Sequence, residues 1–100
     1  MKPSISTHVL DLAHGVPARG IRVELYRGGS LLSAHETNDD GRVADMVGGT
    51  LVAGTYRLVF HVASAFFTRF ETEFSVTDPA RHYHIPLLLS PFGCTTYRGS

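Results

Sequence analysis

Apolar and polar residues alternate along several short stretches of this chain with a period of two. In the segment 21–28, Ile21, Val23 and Leu25 fall on one face, while Arg22 and Glu24 fall on the other. Tyr56, Leu58, Phe60 and Val62 share a face in 55–62. Phe70, Phe74 and Val76 share one in 70–76, opposite Glu71, Glu73 and Ser75. This is the pattern of half-buried strands. The segments 6–12, 82–90 and 91–97 read as further strands. Gly and Pro punctuate the chain between them, at Gly15, Pro17, Gly28, Gly41, Gly48, Gly54, Pro79 and Pro91. Short strands divided by turn signals predict an all-β sandwich or barrel.

Two stretches have a character of their own. "ASAFFTRF", 63–70, holds adjacent phenylalanines and lacks alternation, which predicts a short surface helix between two strands. "TNDDGR", 37–42, predicts a tight turn. Asn and Asp side chains bond nearby backbone there, and Gly41 takes positive φ without a steric penalty.

Composition narrows the function. The 100 residues suit a single domain, 1–100, with one core. Lys plus Arg number 9 and Asp plus Glu number 9, so the formal charge is zero. Binding to nucleic acid draws on excess positive charge, so no such partner is expected. Zero net charge also leaves self-association unopposed. The single cysteine, Cys94, excludes an intrachain disulfide. No segment approaches the roughly 20 apolar residues of a membrane span, and no apolar run suggests a signal peptide. The expectation is a cytoplasmic protein with no membrane partner.

Histidine changes the picture most. His82 and His84 alternate on one strand and so project together. Two adjacent imidazoles oppose each other's protonation, and such a pair suits acid–base work near neutral pH. An exposed, solvated and idle pair is the plain alternative. A zinc ion held by this pair and a distant third histidine is another, with no Cys, Asp or Glu spacing to add to it. Cys94 in "PFGCTTY" has histidines nearby in sequence but no glycine-rich helix start to lower its pKa, and reads as a structural thiol rather than a nucleophile. Asp11 reads as a surface charge or a strand-end cap, with a structural role favoured, and His14, His35 and His61 as structural or surface residues. Arg42 closes the turn at Gly41. Facing the histidines, it would polarise a carbonyl or hold an anion.

Several of these stretches carry a resemblance. "HVLDLAHGVPARG" (8–20), "TNDDGR" (37–42), "GTYRLVF" (54–60), "FSVTDPARHYHIPLLLSP" (74–91) and the terminal "YRGS" resemble the transthyretin-like family, over nearly the whole chain. The likeness is to its hydrolase branch. The hormone-carrying branch lacks counterparts of His8, Arg42, His84 and the Tyr97-Arg98-Gly99-Ser100 tail. The resemblance implies an eight-stranded sandwich with one short helix, assembled as a homotetramer (a dimer of dimers) with active sites in the clefts where dimers meet. It implies hydrolysis of 5-hydroxyisourate to 2-oxo-4-hydroxy-4-carboxy-5-ureidoimidazoline in urate degradation, with no cofactor and no metal.

The resemblance also assigns residues. His8, Arg42, His84 and Ser100 fall to catalysis, His8, Arg42 and Tyr97 to substrate binding, and His82 and Arg98 to support. In the tail, Tyr97 would offer a flat face and a hydroxyl, Arg98 an ion pair across a subunit boundary, Gly99 a bend, and Ser100 a hydroxyl and carboxylate. The stretches 43–53 and 61–74 look shorter than in many members. A non-catalytic small-molecule binding protein on the same fold is the alternative, distinguished by whether the cleft is polar.

Overall fold

The side chains that alternate in the sequence are those that fill the interior. Tyr56, Leu58, Phe60 and Val62 are all buried, as are Val23 and Leu25. A computed structural model describes residues 2–99 of the protein. The strands are β1 (Ile5–Asp11), β2 (Val16–Pro17), β3 (Arg22–Arg27), β4 (Ser30–Glu36), β5 (Arg42–Val43), β6 (Gly54–His61), β7 (Arg69–Val76), β8 (Tyr83–His84), β9 (Leu87–Ser90) and β10 (Gly93–Thr96). One sheet has the order β4-β3-β6-β7. The other runs β10-β9-β1-β2, with β5 and β8 also paired to β1. Ile5, Val9 and Leu87 of that sheet meet Val23, Leu25, Leu58 and Phe60 of the first in one core. The architecture is the expected all-β sandwich. No helix of the described residues is long and apolar enough to cross a membrane.

Three features differ from the sequence reading. The short helix expected over 63–70 does not form. Residues 63–68 are an irregular loop, and Arg69 already opens β7. The Ser64 hydroxyl accepts from the Phe67 amide at 2.9 Å and donates to the Phe67 carbonyl at 2.9 Å. Such local bonds occupy the groups a helix would pair, and the stretch is too short to offset helix nucleation. Strand β4 was not signalled, because it is an edge strand whose Leu31 and Leu32 are adjacent and both half exposed. The segment 82–90 is divided into β8 and β9 at Pro86, which has no N–H for the ladder.

The turn 37–42 is built as expected. The Asn38 side-chain oxygen accepts from the amides of Asp40 and Arg42, both at 3.0 Å. Thr37 donates its hydroxyl to the Ala18 carbonyl at 2.7 Å and accepts from the Ile21 amide at 2.9 Å. Gly41 carries φ of 73°. Its carbonyl receives the Val9 amide at 2.7 Å. A Cβ at Gly41 would lie 2.4 Å from the Val9 carbonyl oxygen and 3.1 Å from the Ala18 nitrogen. Both neighbours are backbone, so neither can yield cheaply. This turn sets Arg42 beside β1.

Gly41→Ala therefore combines a strained φ with a backbone clash. We expect a loss of at least about 2 kcal/mol of stability, or on the order of 10 °C in Tm, measurable by thermal unfolding.

Candidate active site

Strand β1 is paired on both flanks. On one side it runs antiparallel to β5, with His8 opposite Arg42. On the other it runs parallel to β8, with Ser6 opposite His84. Alternation then sorts the side chains. Ile5, Thr7, Val9, Val43, Tyr83 and Ile85 are buried toward the core. Ser6, His8, Arg42, His82 and His84 have the opposite parity and stand on the outer face of the sheet. Inward-facing Thr7 is satisfied by donating to the Ile85 carbonyl at 2.6 Å, which fastens β1 to the chain beyond β8.

A pocket of about 200 Å³ opens on that outer face, lined by Ser6, Thr7, Arg42, Val43, Ala44, His82 and His84. His8 is beside it, opposite Arg42 in register. Within the pocket the Ser6 hydroxyl stands between the paired histidines, 2.7 Å from Nε2 of His82 and 2.8 Å from Nδ1 of His84. Burial lowers the His84 pKa from its ordinary 6.5, and the positive charges of Arg42, His8 and His82 lower it further. A neutral imidazole, a guanidinium and a second imidazole thus face one small space. They can bind a carbonyl, hold a water and move a proton.

The tail reaches the same ring. The Gly99 amide donates to the His84 carbonyl at 2.7 Å. A Cβ on Gly99 would stand 2.6 Å from Cδ2 of His84. Gly99 is not among the positive-φ glycines, so its task is close approach to the imidazole rather than a bend. Arg98 lies over the Tyr83 ring, 4.7 Å from its centroid. Tyr83 is itself held by its hydroxyl, which accepts from the Asp78 amide and donates to the Asp78 carbonyl, both at 3.0 Å.

The structure does not bring every candidate together. Tyr97 is half exposed and lines a separate cavity of about 220 Å³ with Phe74, Tyr83, Ile85, Thr96 and Arg98 among others. Ser100 lies outside the described residues. Cys94 is exposed on β10, and partial burial pushes its thiol pKa up, away from the thiolate a nucleophile needs. Among the described residues, no group of three or more His, Cys, Asp or Glu side chains is arranged to hold a metal ion. Asp11 caps its strand by accepting from the Ala13 and His14 amides and bonding the His14 ring at 2.8 Å. His61 bonds Glu24 at 2.5 Å on the other sheet. Ser6 was missed by sequence reasoning. Its only signal was its place two residues before His8, and its partners lie 76 and 78 positions away.

A family model described as the HIUase/Transthyretin family matches residues 5–99. A 5-hydroxyisourate hydrolase of Deinococcus radiodurans is 44% identical over 115 aligned positions, covering 98% of this chain and 97% of that protein. The alignment is longer than this chain, so the relative carries residues that this one lacks. The structure of Klebsiella pneumoniae 5-hydroxyisourate hydrolase superposes with a TM-score of 0.91 at 37% identity, covering 98% of this chain and 99% of that one. Sea bream transthyretin in complex with thyroxine superposes at 0.86 with 25% identity, covering 95% and 93%.

Two outcomes follow from the geometry. By NMR titration, His84 should titrate below 6.5, and Arg42→Ala should move it upward while leaving it below that value, because burial is the larger cause. Gly99→Ala should displace the His84 ring. A shift of this kind lowers turnover on the order of 10-fold or more. It should leave the unfolding midpoint nearly unchanged, since Gly99 is outside the core cluster.

Proposed function

The chain belongs to the HIUase/Transthyretin family, and on that premise we propose that it is a hydrolase that opens the ring of 5-hydroxyisourate. The observation that carries this reading is the meeting of His8, Arg42 and His84 across β5, β1 and β8 on one polar face. A carrier of apolar ligands has no use for a guanidinium and two imidazoles at its site. Relatives that align over nearly their whole length bear the hydrolase name.

The reaction is attack of water on the ring amide carbonyl. One imidazole, His8 or His84, takes a proton from the water as its oxygen bonds to the carbonyl carbon. Arg42 binds ring oxygens and stabilises the negative charge that develops. The ring C–N bond then breaks, and the nitrogen leaves with a proton, giving 2-oxo-4-hydroxy-4-carboxy-5-ureidoimidazoline. A positioned base contributes typically about 10²–10⁴-fold. His82 supports the site through Ser6. Arg98 and Ser100 are proposed to complete its wall, and Tyr97, which lines the separate cavity of its own subunit, is proposed to reach the substrate from a neighbouring subunit.

The proposal includes a homotetramer, a dimer of dimers, with the pocket facing a neighbouring subunit. In its favour, the pocket opens on the outer face of a sheet, away from the apolar core. Large apolar side chains such as Phe92 and Phe66 are also exposed, by 73% and 71%.

The test is kinetic. 5-Hydroxyisourate is generated in situ with urate oxidase, and its ultraviolet decay is followed against the spontaneous rate. Wild type should accelerate the decay. His8→Ala should lose at least about 100-fold, and Arg42→Ala a similar factor, with the fold intact. No acceleration by well-folded wild-type protein would remove the hydrolase reading and leave a binding protein.

A further inference from the structure

The mechanism above leaves two imidazoles competing for one role, and Ser6 separates them. A serine hydroxyl has one proton to donate. Standing between Nε2 of His82 and Nδ1 of His84, it donates to one ring and accepts an N–H from the other. Two arrangements exist. In the first, Ser6 donates to His82, so that neutral His82 carries its proton on Nδ1. In the second, His82 donates from Nε2, Ser6 donates to Nδ1 of His84, and neutral His84 carries its proton on Nε2. The Nδ1 of His82 decides between them. It is buried with no partner among the described residues. A buried orphan N–H is rarer than a bare acceptor, and only the first arrangement creates one.

We propose that Ser6 is a positioning residue that fixes His84 as a hydrogen-bond donor and so leaves water activation to His8. The proposal rests on the hydrolase reading of the site. With Nδ1 engaged by the Ser6 hydroxyl, His84 offers an N–H at Nε2 and no lone pair for a proton. No hydrogen bond among the described residues engages the His8 ring, so its lone pair remains for water. The groups acting on His84 are Arg42 from β5, His8 from β1 and His82 beside it, and all are cationic when charged. Burial is the larger reason the ring stays neutral, and these charges add to it.

The step is then fully assigned. His8 takes one proton of the water, and the water oxygen bonds to the carbonyl carbon. The carbonyl electron pair moves onto its oxygen, held by Nε2–H of His84 and by Arg42. That pair returns as the C–N bond breaks, and the proton on His8 passes to the leaving nitrogen. His84 exchanges no proton, so Ser6 and His82 keep theirs.

The experiment has two arms. Long-range ¹H–¹⁵N correlation spectra of the substrate-free, ¹⁵N-labelled protein at mildly alkaline pH read the tautomers directly. Both His82 and His84 should be protonated on Nε2. A wild-type His84 protonated on Nδ1 overturns the proposal whatever the activity. In the second arm, Ser6→Ala should lower kcat about 10-fold, because the donor is no longer held in one tautomer. The acidic limb of its pH–rate profile should stay where it is in wild type, since the bonds of Ser6 go to His82 and His84 and not to the water-activating ring. A kcat within about two-fold of wild type, or a displaced limb, overturns the proposal. Wild-type turnover of 5-hydroxyisourate is measured alongside. Its absence tells against the hydrolase reading, whereas the tautomers are read without substrate.

Discussion

The site depends on one constraint, the pairing of β1 along both of its edges. A strand with a neighbour on each side cannot slide, because a shift of one residue would turn Ile5, Thr7 and Val9 outward and drive the polar Ser6 and His8 side chains into the apolar core. The core therefore fixes the register, and the register places the chemistry. His8 meets Arg42 on one flank and Ser6 meets His84 on the other because Val9 and Ile5 are held in the interior. Nothing at the surface has to specify this geometry. It is inherited from the apolar residues of the opposite face.

The same logic explains what was legible in the sequence. Alternation gave β3, β6 and β7, whose inward faces carry large apolar side chains, buried on β3 and β6 and mostly half-buried on β7. It gave no sign of β4, whose apolar residues lie on an exposed edge, or of the two-residue strands β2 and β5, which are too short for a period. The helix expected after β6 failed because a serine hydroxyl offers the backbone local partners that composition does not reveal. At the site, the pair His82 and His84 could be read from spacing, and Arg42 from its place at the end of a turn. Their meeting with His8 was carried only by family resemblance. Ser6 could not be found either way, since a buried serine becomes informative only once its partners are known.

Backbone approach shapes the site as much as the titratable groups do. Gly41 passes close enough to Val9 that a methyl group would strike a carbonyl, and Gly99 passes as closely over His84. These two glycines stand on opposite sides of β1 in space. One carries the guanidinium to the strand, and the other limits the movement of an imidazole. A site built in this way can be altered by adding one carbon atom where no functional group is present.

The bonds from Ser6 to His82 and His84 join points 76 and 78 residues apart in a chain of 100. Contacts so distant in sequence form only after most of the chain has been ordered, because the entropy of closing the loop must be offset by the strands that lie within it. The site is thus among the most non-local parts of the molecule. It cannot exist on a nascent chain that has not yet released β8, nor on a fragment that lacks either end. Catalysis becomes a reporter of complete folding, and the recovery of activity after denaturation should trace the last stage of refolding rather than the first collapse.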